Sequence, residues 1–385
     1  MQPAARVQTA IEILDRIAAG EPAERALTNW ARGARYAGSK DRAAVRDHVF
    51  DVLRCWRSSA VLGGGETGRA RMLGHLRATG QDIDALFVGG GYGPAPIGAD
   101  DAPGRTPEAV EAWDLPDWLA DRFTQSLGDK AEQVAQVLRH RADVFLRVNT
   151  LKTDIAGALA ALAQDGIEAE PHDLSPAALR VTKGARAVAR GKAYGDGLVE
   201  LQDAASQAVV DLLPLQPGMR VLDYCAGGGG KTLAMGAQLN GGPLEAHDAD
   251  PRRMSDLPIR AERAGVEVMQ IERPKGAYDL VLADAPCSGS GAWRRSPEGK
   301  WRLTPDALDA LCAVQSEILE TCAPLVAPKG TLAYATCSVL RDENDAQIER
   351  FIQNNPEWQI VMSRQLTPDE GGDGFFMACM ARRGS

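Results

Sequence analysis

The chain has 385 residues, 44% of them hydrophobic and 25% charged, and a formal net charge of -9. This is the balance of a folded globular protein of two or three domains, and it excludes disorder over most of the length. No run of 18 apolar residues occurs, so no membrane span is expected.

Seven cysteines (55, 225, 287, 312, 322, 337 and 379) are an odd number with no C-x-x-C pair and no nearby pair of histidines. That pattern argues against a disulfide framework and against a zinc site, so reduced intracellular thiols and no metal are expected. Met1 to Ile17 mixes charged with apolar residues and lacks the apolar core of a signal peptide, which makes the cytoplasm the expected compartment. The charge is unevenly spread: residues 1–80 carry 13 Lys+Arg against 8 Asp+Glu, whereas 81–123 carry 2 against 9. Phosphate affinity comes from lysine and arginine, so any nucleic-acid contact is expected first in the N-terminal segment.

In chain order, Val7, Ile11, Leu14 and Ala18 have helical spacing, and Arg42 to Trp56 repeats it through Val45, Phe50 and Leu53. The first 75 or so residues therefore read as a helical unit. Glycine and proline clusters between Gly63 and Thr106 read as a loop-rich linker with one short helix near Arg69 to Arg77. Helical spacing returns from Pro116 to His140. Val144 to Val148 and Leu179 to Val181 are predicted strands around a helix from Asp154 to Ala163, a small α+β unit. From Leu201 the rhythm is that of a doubly wound parallel sheet. Its strands are predicted at Arg220 to Tyr224, Pro243 to His247, Val266 to Ile271, Asp279 to Ala283 and Thr331 to Ala335. Helices are predicted at Lys231 to Leu239, Pro251 to Ala264 and Thr304 to Ala323, with Asp342 capping a further one to Gln353. Trp358 to Ser363 and Phe375 to Ala381 read as an antiparallel pair at one edge.

The turn after the first strand of this region runs Cys225-Ala226-Gly227-Gly228-Gly229-Gly230-Lys231-Thr232. A phosphate loop needs glycine at position 225, and a dinucleotide fingerprint needs it at 232, so both readings fail on spacing. What remains is a glycine turn that lets a bulky ligand approach the backbone beyond the strand ends. Asp248 or Asp250, after the second strand, stands where a ribose diol would be held. Together they suit an adenosine cofactor without a phosphate chain, which points to S-adenosylmethionine.

Two cysteines follow predicted strands: Cys287 in Asp284-Ala285-Pro286-Cys287-Ser288-Gly289, and Cys337 in Tyr334-Ala335-Thr336-Cys337-Ser338. If those strands are neighbours, both thiols face one pocket. Cytosine C5 becomes nucleophilic only after a thiolate adds at C6, and a second group must then assist release, so a thiol pair suits that reaction. Asp284 lies in reach of N3 of the ring. Free cysteine is usually a buried, inert residue, and Cys55, Cys312, Cys322 and Cys379 are read so. Next, Trp293-Arg294-Arg295-Ser296-Pro297-Glu298-Gly299-Lys300-Trp301-Arg302 interleaves cations with indoles, a combination that suits RNA phosphates and stacked bases. Arg294, Arg295, Lys300 and Trp301 are therefore expected to contact substrate.

These motifs, with Gln202-Asp203-Ala204-Ala205-Ser206, Glu343-Asn344, Asp373-Gly374-Phe375-Phe376 and Leu146-Arg147-Val148-Asn149-Thr150, resemble the Sun/Fmu family of RNA (cytosine-C5)-methyltransferases. The likeness is greatest to its bacterial small-subunit rRNA branch. The resemblance implies a Rossmann-like, class I S-adenosylmethionine methyltransferase domain at 200–385, an RRM-like α+β subdomain at 139–199, and an all-helical NusB-like RNA-binding domain at 1–138 with a linker near 80–115. It implies Cys337 as nucleophile, Cys287 as the group assisting release, and Asp284 as the holder of the cytosine. It places the cofactor on Cys225 to Lys231, Asp248 and Asp284. DNA cytosine methyltransferases attack from the Pro-Cys loop, and on that pattern Cys287 would be the nucleophile. The expected partner is RNA, with 16S rRNA first, and the expected state is a monomer; the alternatives are a tRNA methyltransferase and a non-catalytic RNA-binding or antitermination factor. Two departures stand out. Gly228 takes the place of the family's proline, and Ile271-Glu272-Arg273-Pro274 lacks its adenine-side aspartate, leaving open whether Glu272 substitutes.

Overall fold

The computed structural model describes residues 1–384, which divide into two compact units. One comprises Met1–Arg141 with Trp293–Arg302, and the other Ala142–Ala292 with the chain from Leu303 onward.

The first unit is helical: Pro3–Ala18, Ala23–Gly33, Ser39–Arg54, Trp56–Gly63, Gly68–Ala78, Asp117–Leu127 and Ala131–Leu138 are its longer helices. Val7, Leu14, Val45, Val49, Leu53, Met72 and Leu73 are buried together in its core, as their helical spacing predicts. Helices Trp56–Gly63 and Gly68–Ala78 pack backbone to backbone, since a Cβ on Gly74 would lie 1.9 Å from the Ser59 carbonyl oxygen. The acidic segment expected to be a linker is instead folded onto this core. Phe87 is buried beneath the Arg69 guanidinium, Asp101 pairs with Arg69 at 2.8 Å, and Leu115 is fully buried. Buried Asp114 accepts the backbone N–H groups of Arg57 and Ser58 at the start of helix Trp56–Gly63 and pairs with Arg139 at 2.7 Å. The segment's carboxylates thus answer the basic excess of the preceding helices, which its glycines and prolines did not announce.

The second unit holds two sheets. In the smaller, β1 (Val144–Val148), β2 (Glu168–Pro171), β3 (Ala178–Lys183) and β4 (Val199–Leu201) are antiparallel in the order β2-β3-β1-β4. Helix Ile155–Gln164 packs here, capped by Asp154, whose carboxylate accepts the Gly157 N–H at 2.8 Å.

The larger sheet contains β5 (Val221–Asp223), β6 (Leu244–Ala246), β7 (Val268–Gln270), β8 (Tyr278–Asp284), β9 (Val326–Thr336), β10 (Trp358–Leu366) and β11 (Phe375–Arg382) in the order β10-β11-β9-β8-β5-β6-β7. Strands β9, β8, β5, β6 and β7 run parallel, and β10 and β11 add the antiparallel edge. The apolar runs of β5, of β8 and of the second half of β9 are buried on both faces, as the covered centre of a parallel sheet requires, whereas edge strand β7 is largely exposed. Chain order reverses beside β5, and the crevice beyond the strand ends there is where such sheets bind ligands.

Two predicted elements differ. The helix predicted over Pro251 to Ala264 is a short 3-10 turn, Pro251–Met254, then a helix at Leu257–Ala264, because Pro258 is tolerated only in a helix's first turn. Asp342 lies within a 3-10 turn, Arg341–Glu343; the helix is Asp345–Asn354, and Asn344 is at its N-cap.

Candidate active site

Strand β5 ends at Asp223, and the chain turns through Tyr224–Gly229 into helix Gly230–Gln238. Gly227 and Gly229 have φ of +52° and +82°, a region that disfavours side chains, and a Cβ on Gly229 would lie 2.3 Å from Leu257. The turn lines a cleft of about 470 Å³ with Cys225, Ala226, Gly227, Gly228, Gly230 and Lys231 on one side and Asp284, Pro286, Cys287 and Cys337 on another. Gln202, Ser206, Arg253 and Phe375 also line it, none of which the sequence reading had singled out for this role. Buried Arg147 from β1 donates to the Gly230 carbonyl at 2.8 Å and to Gln202, fastening the small sheet to the start of this helix.

Asp248 is buried and holds the turn from beneath. Its carboxylate accepts the N–H of Gly227 and of Asp250, each at 2.9 Å, and meets Arg253 at 3.2 Å. Asp250 is engaged with Arg252. Glu272 is exposed and is not among the residues lining the cleft. Asp223 is almost fully buried and accepts the Thr232 hydroxyl at 2.6 Å; burial pushes its carboxyl up to about 7.

Strands β8 and β9 are parallel neighbours in the register Asp284 to Ala335, so both cysteine loops leave the same sheet edge. The Cys287 and Cys337 sulfurs are 3.3 Å apart. The hydrogen bond shared with Cys337, followed by burial, raises the Cys287 thiol well above its usual range, so Cys287 holds its proton; either sulfur can be the donor of the pair. Lys231 Nζ meets Asp284 at 2.7 Å and lies 4.6 Å from the centre of the Phe375 ring. Burial disfavours the Lys231 charge, but Asp284 outweighs it and the ammonium is kept. Cys55, Cys312, Cys322 and Cys379 are raised chiefly by burial, Cys312 to about 11 and Cys379 to about 12, as inert thiols are.

Beneath the two loops lies Glu343, fully buried. One oxygen accepts the Ser288 N–H at 2.7 Å and the Gln315 amide at 3.1 Å; the other accepts the Ser288 and Ser338 hydroxyls, each at 2.5 Å. Ser288 follows Cys287 and Ser338 follows Cys337, so one carboxylate ties both thiol loops together. Asn344 continues the tie, donating to the Ser338 carbonyl at 3.0 Å and accepting the Thr336 hydroxyl at 2.6 Å. An Asp-Glu-Asn run before a helix reads from sequence as a capping signal, and only the fold shows its side chains turned inward.

The loop expected to meet substrate has a different role in part. Trp293–Arg302 belongs to the first unit, where Trp293 is buried and stacks on Phe123. Lys300 is fully buried and donates to the Arg54 carbonyl at 2.9 Å, and the Trp301 indole N–H donates to the Leu53 carbonyl at 2.8 Å. Arg294 is buried too, its carbonyl accepting from Arg54 at 2.8 Å. Arg295 alone of the four is exposed. The interleaved cations and indoles that suggested stacking on bases instead close the end of helix Ser39–Arg54.

A parallel sheet with an antiparallel edge, a glycine turn after its first central strand and a reactive crevice beyond the strand ends define a Rossmann-like, class I methyltransferase fold. Residues 210–381 match the family described as 16S rRNA methyltransferase RsmB/F, and residues 115–188 match the ferredoxin-like domain of RsmF/B-like methyltransferases. Over these two stretches the chain is similar to the RsmB/F methyltransferases. It is 34% identical over 288 residues to ribosomal RNA small subunit methyltransferase B of Salmonella arizonae and 35% identical over 288 residues to that of Yersinia enterocolitica. Each match covers 70% of this chain and spans 66% of the relative's length. Among solved structures, PH0851 superposes with a TM-score of 0.77 at 22% identity, covering 99% of both chains. A methyltransferase homolog from Pyrococcus horikoshii superposes at 0.62 and 24% identity, covering 70% of this chain and 96% of its own. NSun6 from Pyrococcus horikoshii with SFG gives 0.62 at 17%, covering 70% and 99%. At these identities the structural likeness is one of fold.

No helix among the described residues is long and apolar enough to cross a membrane.

Proposed function

We propose that this chain methylates C5 of a cytosine in RNA, most specifically in small-subunit rRNA, through a covalent bond from Cys337 to C6. The observation that carries the reading is the pair of sulfurs 3.3 Å apart at the ends of neighbouring parallel strands, opening into the cleft that the glycine turn lines. The relatives' names supply the RNA class.

The turn fits S-adenosylmethionine. Gly227, Gly228 and Gly230 present bare backbone to the cleft, and a Cβ on Gly228 or Gly227 would lie 3.1 Å from Arg260 or 3.3 Å from Arg253. The residues that would hold the cofactor are Cys225 to Lys231, with Asp248 fixing the turn and Asp284 at its far side. When bound, S-adenosylmethionine supplies the electrophilic methyl carbon that C5 takes up.

Cys337 gives up its proton and its sulfur adds to C6, which moves ring electrons toward N3 and makes C5 enamine-like. Asp284, held by Lys231, carries that proton to N3, neutralising the charge that develops there. After methylation the C6–S bond breaks. Loss of the C5 proton supplies the electron pair that forms the C5–C6 double bond and expels the Cys337 sulfur; Cys287 gives its own proton to that sulfur as it takes up the C5 proton, and N3 returns its proton through Asp284 to solvent. Both thiols end as they began, with one proton released per methyl group. The resemblance to the Sun/Fmu methyltransferases supports giving Cys337 the attack and Cys287 the proton-carrying part. The target base must leave its stack to reach the sulfur, at a cost of a few kcal/mol that unpaired RNA reduces.

The test is methyl transfer from labelled S-adenosylmethionine to unmodified small-subunit rRNA, with the product mapped by bisulfite sequencing. One protected cytosine is expected. Label that enters no rRNA, or that enters another base, overturns the reading.

A further inference from the structure

We propose that a groove in the helical unit binds an unpaired stretch of RNA, with Tyr36 and Tyr92 stacking on bases and the cations around Tyr36 meeting phosphates. The inference deepens the RNA reading above and rests on it for the choice of ligand.

Of the chain's seven tryptophans, six tyrosines and seven phenylalanines, only Tyr36 and Tyr92 are exposed among the described residues, at 72% and 92%. One exposed ring needs no explanation. Here, however, both exposed rings line the same groove of about 1230 Å³, whose other walls include Gln2, Gln8, Glu12 and Arg69. Tyr92 is held outward against its backbone preference. Its φ is +67° in a glycine-rich turn closed by the Gly89 N–H on the Pro94 carbonyl and the Gly93 N–H on the Gly90 carbonyl, each at 2.9 Å. A side chain is disfavoured in that region, and no packing of the ring offsets it.

The charge around Tyr36 selects the partner. Arg32, Arg35, Lys40 and Arg42 are exposed within eleven residues, in a chain whose net charge is -9. The one acid among them, Asp41, is already met by Arg6 at 2.8 Å and by the amino group of Met1 at 3.1 Å. Rings that accept any base, beside cations that accept any phosphate, are the means by which proteins hold single strands. Apart from Ala95, no exposed aliphatic side chain, of the kind a protein partner would use, lines the groove. Within it, Glu12 is turned to Gln8 at 2.9 Å, and Arg69 is paired with Asp101.

The test uses the full chain and a labelled unpaired RNA of about ten nucleotides, a length within the span such grooves hold, read by fluorescence anisotropy across a salt series. Tyr36→Ala and Tyr92→Ala are each expected to weaken binding about tenfold, and together about a hundredfold. Tyr36→Phe and Tyr92→Phe keep the stacking face and should bind within about twofold of the parent. The Arg35→Ala, Lys40→Ala pair should flatten the salt slope by about 1.4, at about 0.7 per phosphate contact on a single strand. Both rings are exposed, so a melting curve matching the parent's checks that the variants are folded. The proposal is overturned by a double alanine variant that binds as the parent does, by equal weakening toward a duplex of the same sequence, or by a parent that does not bind the strand. Methyl transfer is measured separately, so binding as expected without transfer sinks the catalytic reading and leaves the groove standing.

Discussion

Glu343 offers the sharpest test of how the two thiols are held. Truncation to alanine removes the acceptor for the Ser288 N–H, the Gln315 amide and two hydroxyls. The hydroxyls can turn to other partners, since Ser338 and Ser290 already meet at 2.8 Å. The Ser288 N–H has no such freedom, whereas the Gln315 amide keeps its bond to the Pro286 carbonyl at 2.9 Å and loses only its second acceptor; a buried donor left unmet costs about 1–3 kcal/mol, so about 2–4 kcal/mol is expected for the pair. At roughly 2–4 °C per kcal/mol for a unit of this size, the melting temperature should fall by about 10 °C. Displacing the thiol loops by about 1 Å should also lower the single-turnover methyl-transfer rate about a hundredfold. Glutamine keeps one oxygen for the two fixed donors, and its amide can donate to the turned hydroxyls, so Glu343→Gln should lose less than about 2 kcal/mol and stay within about tenfold in rate. The assays are thermal unfolding followed by circular dichroism, and single-turnover transfer to rRNA. An alanine variant that melts and reacts like the parent, or a glutamine variant as damaged as alanine, would refute the argument.

Asp223 predicts a dependence on pH. Its folded carboxyl stands at about 7 against an ordinary 3.8, so the folded state keeps a proton that the unfolded chain has released; stability therefore falls as pH rises from about 4 to about 7 and then levels. The loss is about 4 kcal/mol, and Asp223→Asn, which keeps an oxygen for Thr232, should melt higher than the parent at pH 8 and converge with it near pH 4; melting curves that run parallel across that range would contradict this. Lys300 is lowered to about 8 by burial, so its contribution to stability grows as pH climbs from about 8 to about 10.5. Lys300→Met should leave stability at pH 7 unchanged or higher and leave the salt slope of RNA binding untouched, whereas a slope smaller by about one would return Lys300 to the phosphate-binding role that its burial speaks against.

What the sequence disclosed and what it withheld follow from the range of the interactions. Strand β1 and the start of helix Pro305–Cys322 were legible because apolar runs and a Thr304-Pro305 cap are local signals. The two cysteines were legible as a pair because each followed a strand, although their adjacency depended on a sheet order that spacing alone cannot fix. Short strands β2 and β4 went unread, being too brief to show alternation. The Trp293 to Arg302 loop misled because its composition suits two roles, and only contacts with helix Ser39–Arg54 separate them. Asp248 was placed at the right strand end, but its hydrogen bonds to the glycine turn, rather than outward to a ligand, are a matter of side-chain direction. Glu343 was quoted within a motif and given no part, because its donors come from residues 28 and 55 positions away as well as from nearby Ser338.

The central claim, attack by Cys337 with release assisted by Cys287, is tested most directly by incubating Cys287→Ala and Cys337→Ala variants with S-adenosylmethionine and unmodified small-subunit rRNA, then looking for a denaturation-resistant protein–RNA adduct. The account predicts that Cys287→Ala accumulates an adduct mapped by mass spectrometry to Cys337, and that Cys337→Ala forms none and transfers no methyl group. Transfer undiminished in Cys337→Ala, or an adduct on Cys287 in that variant, would contradict it.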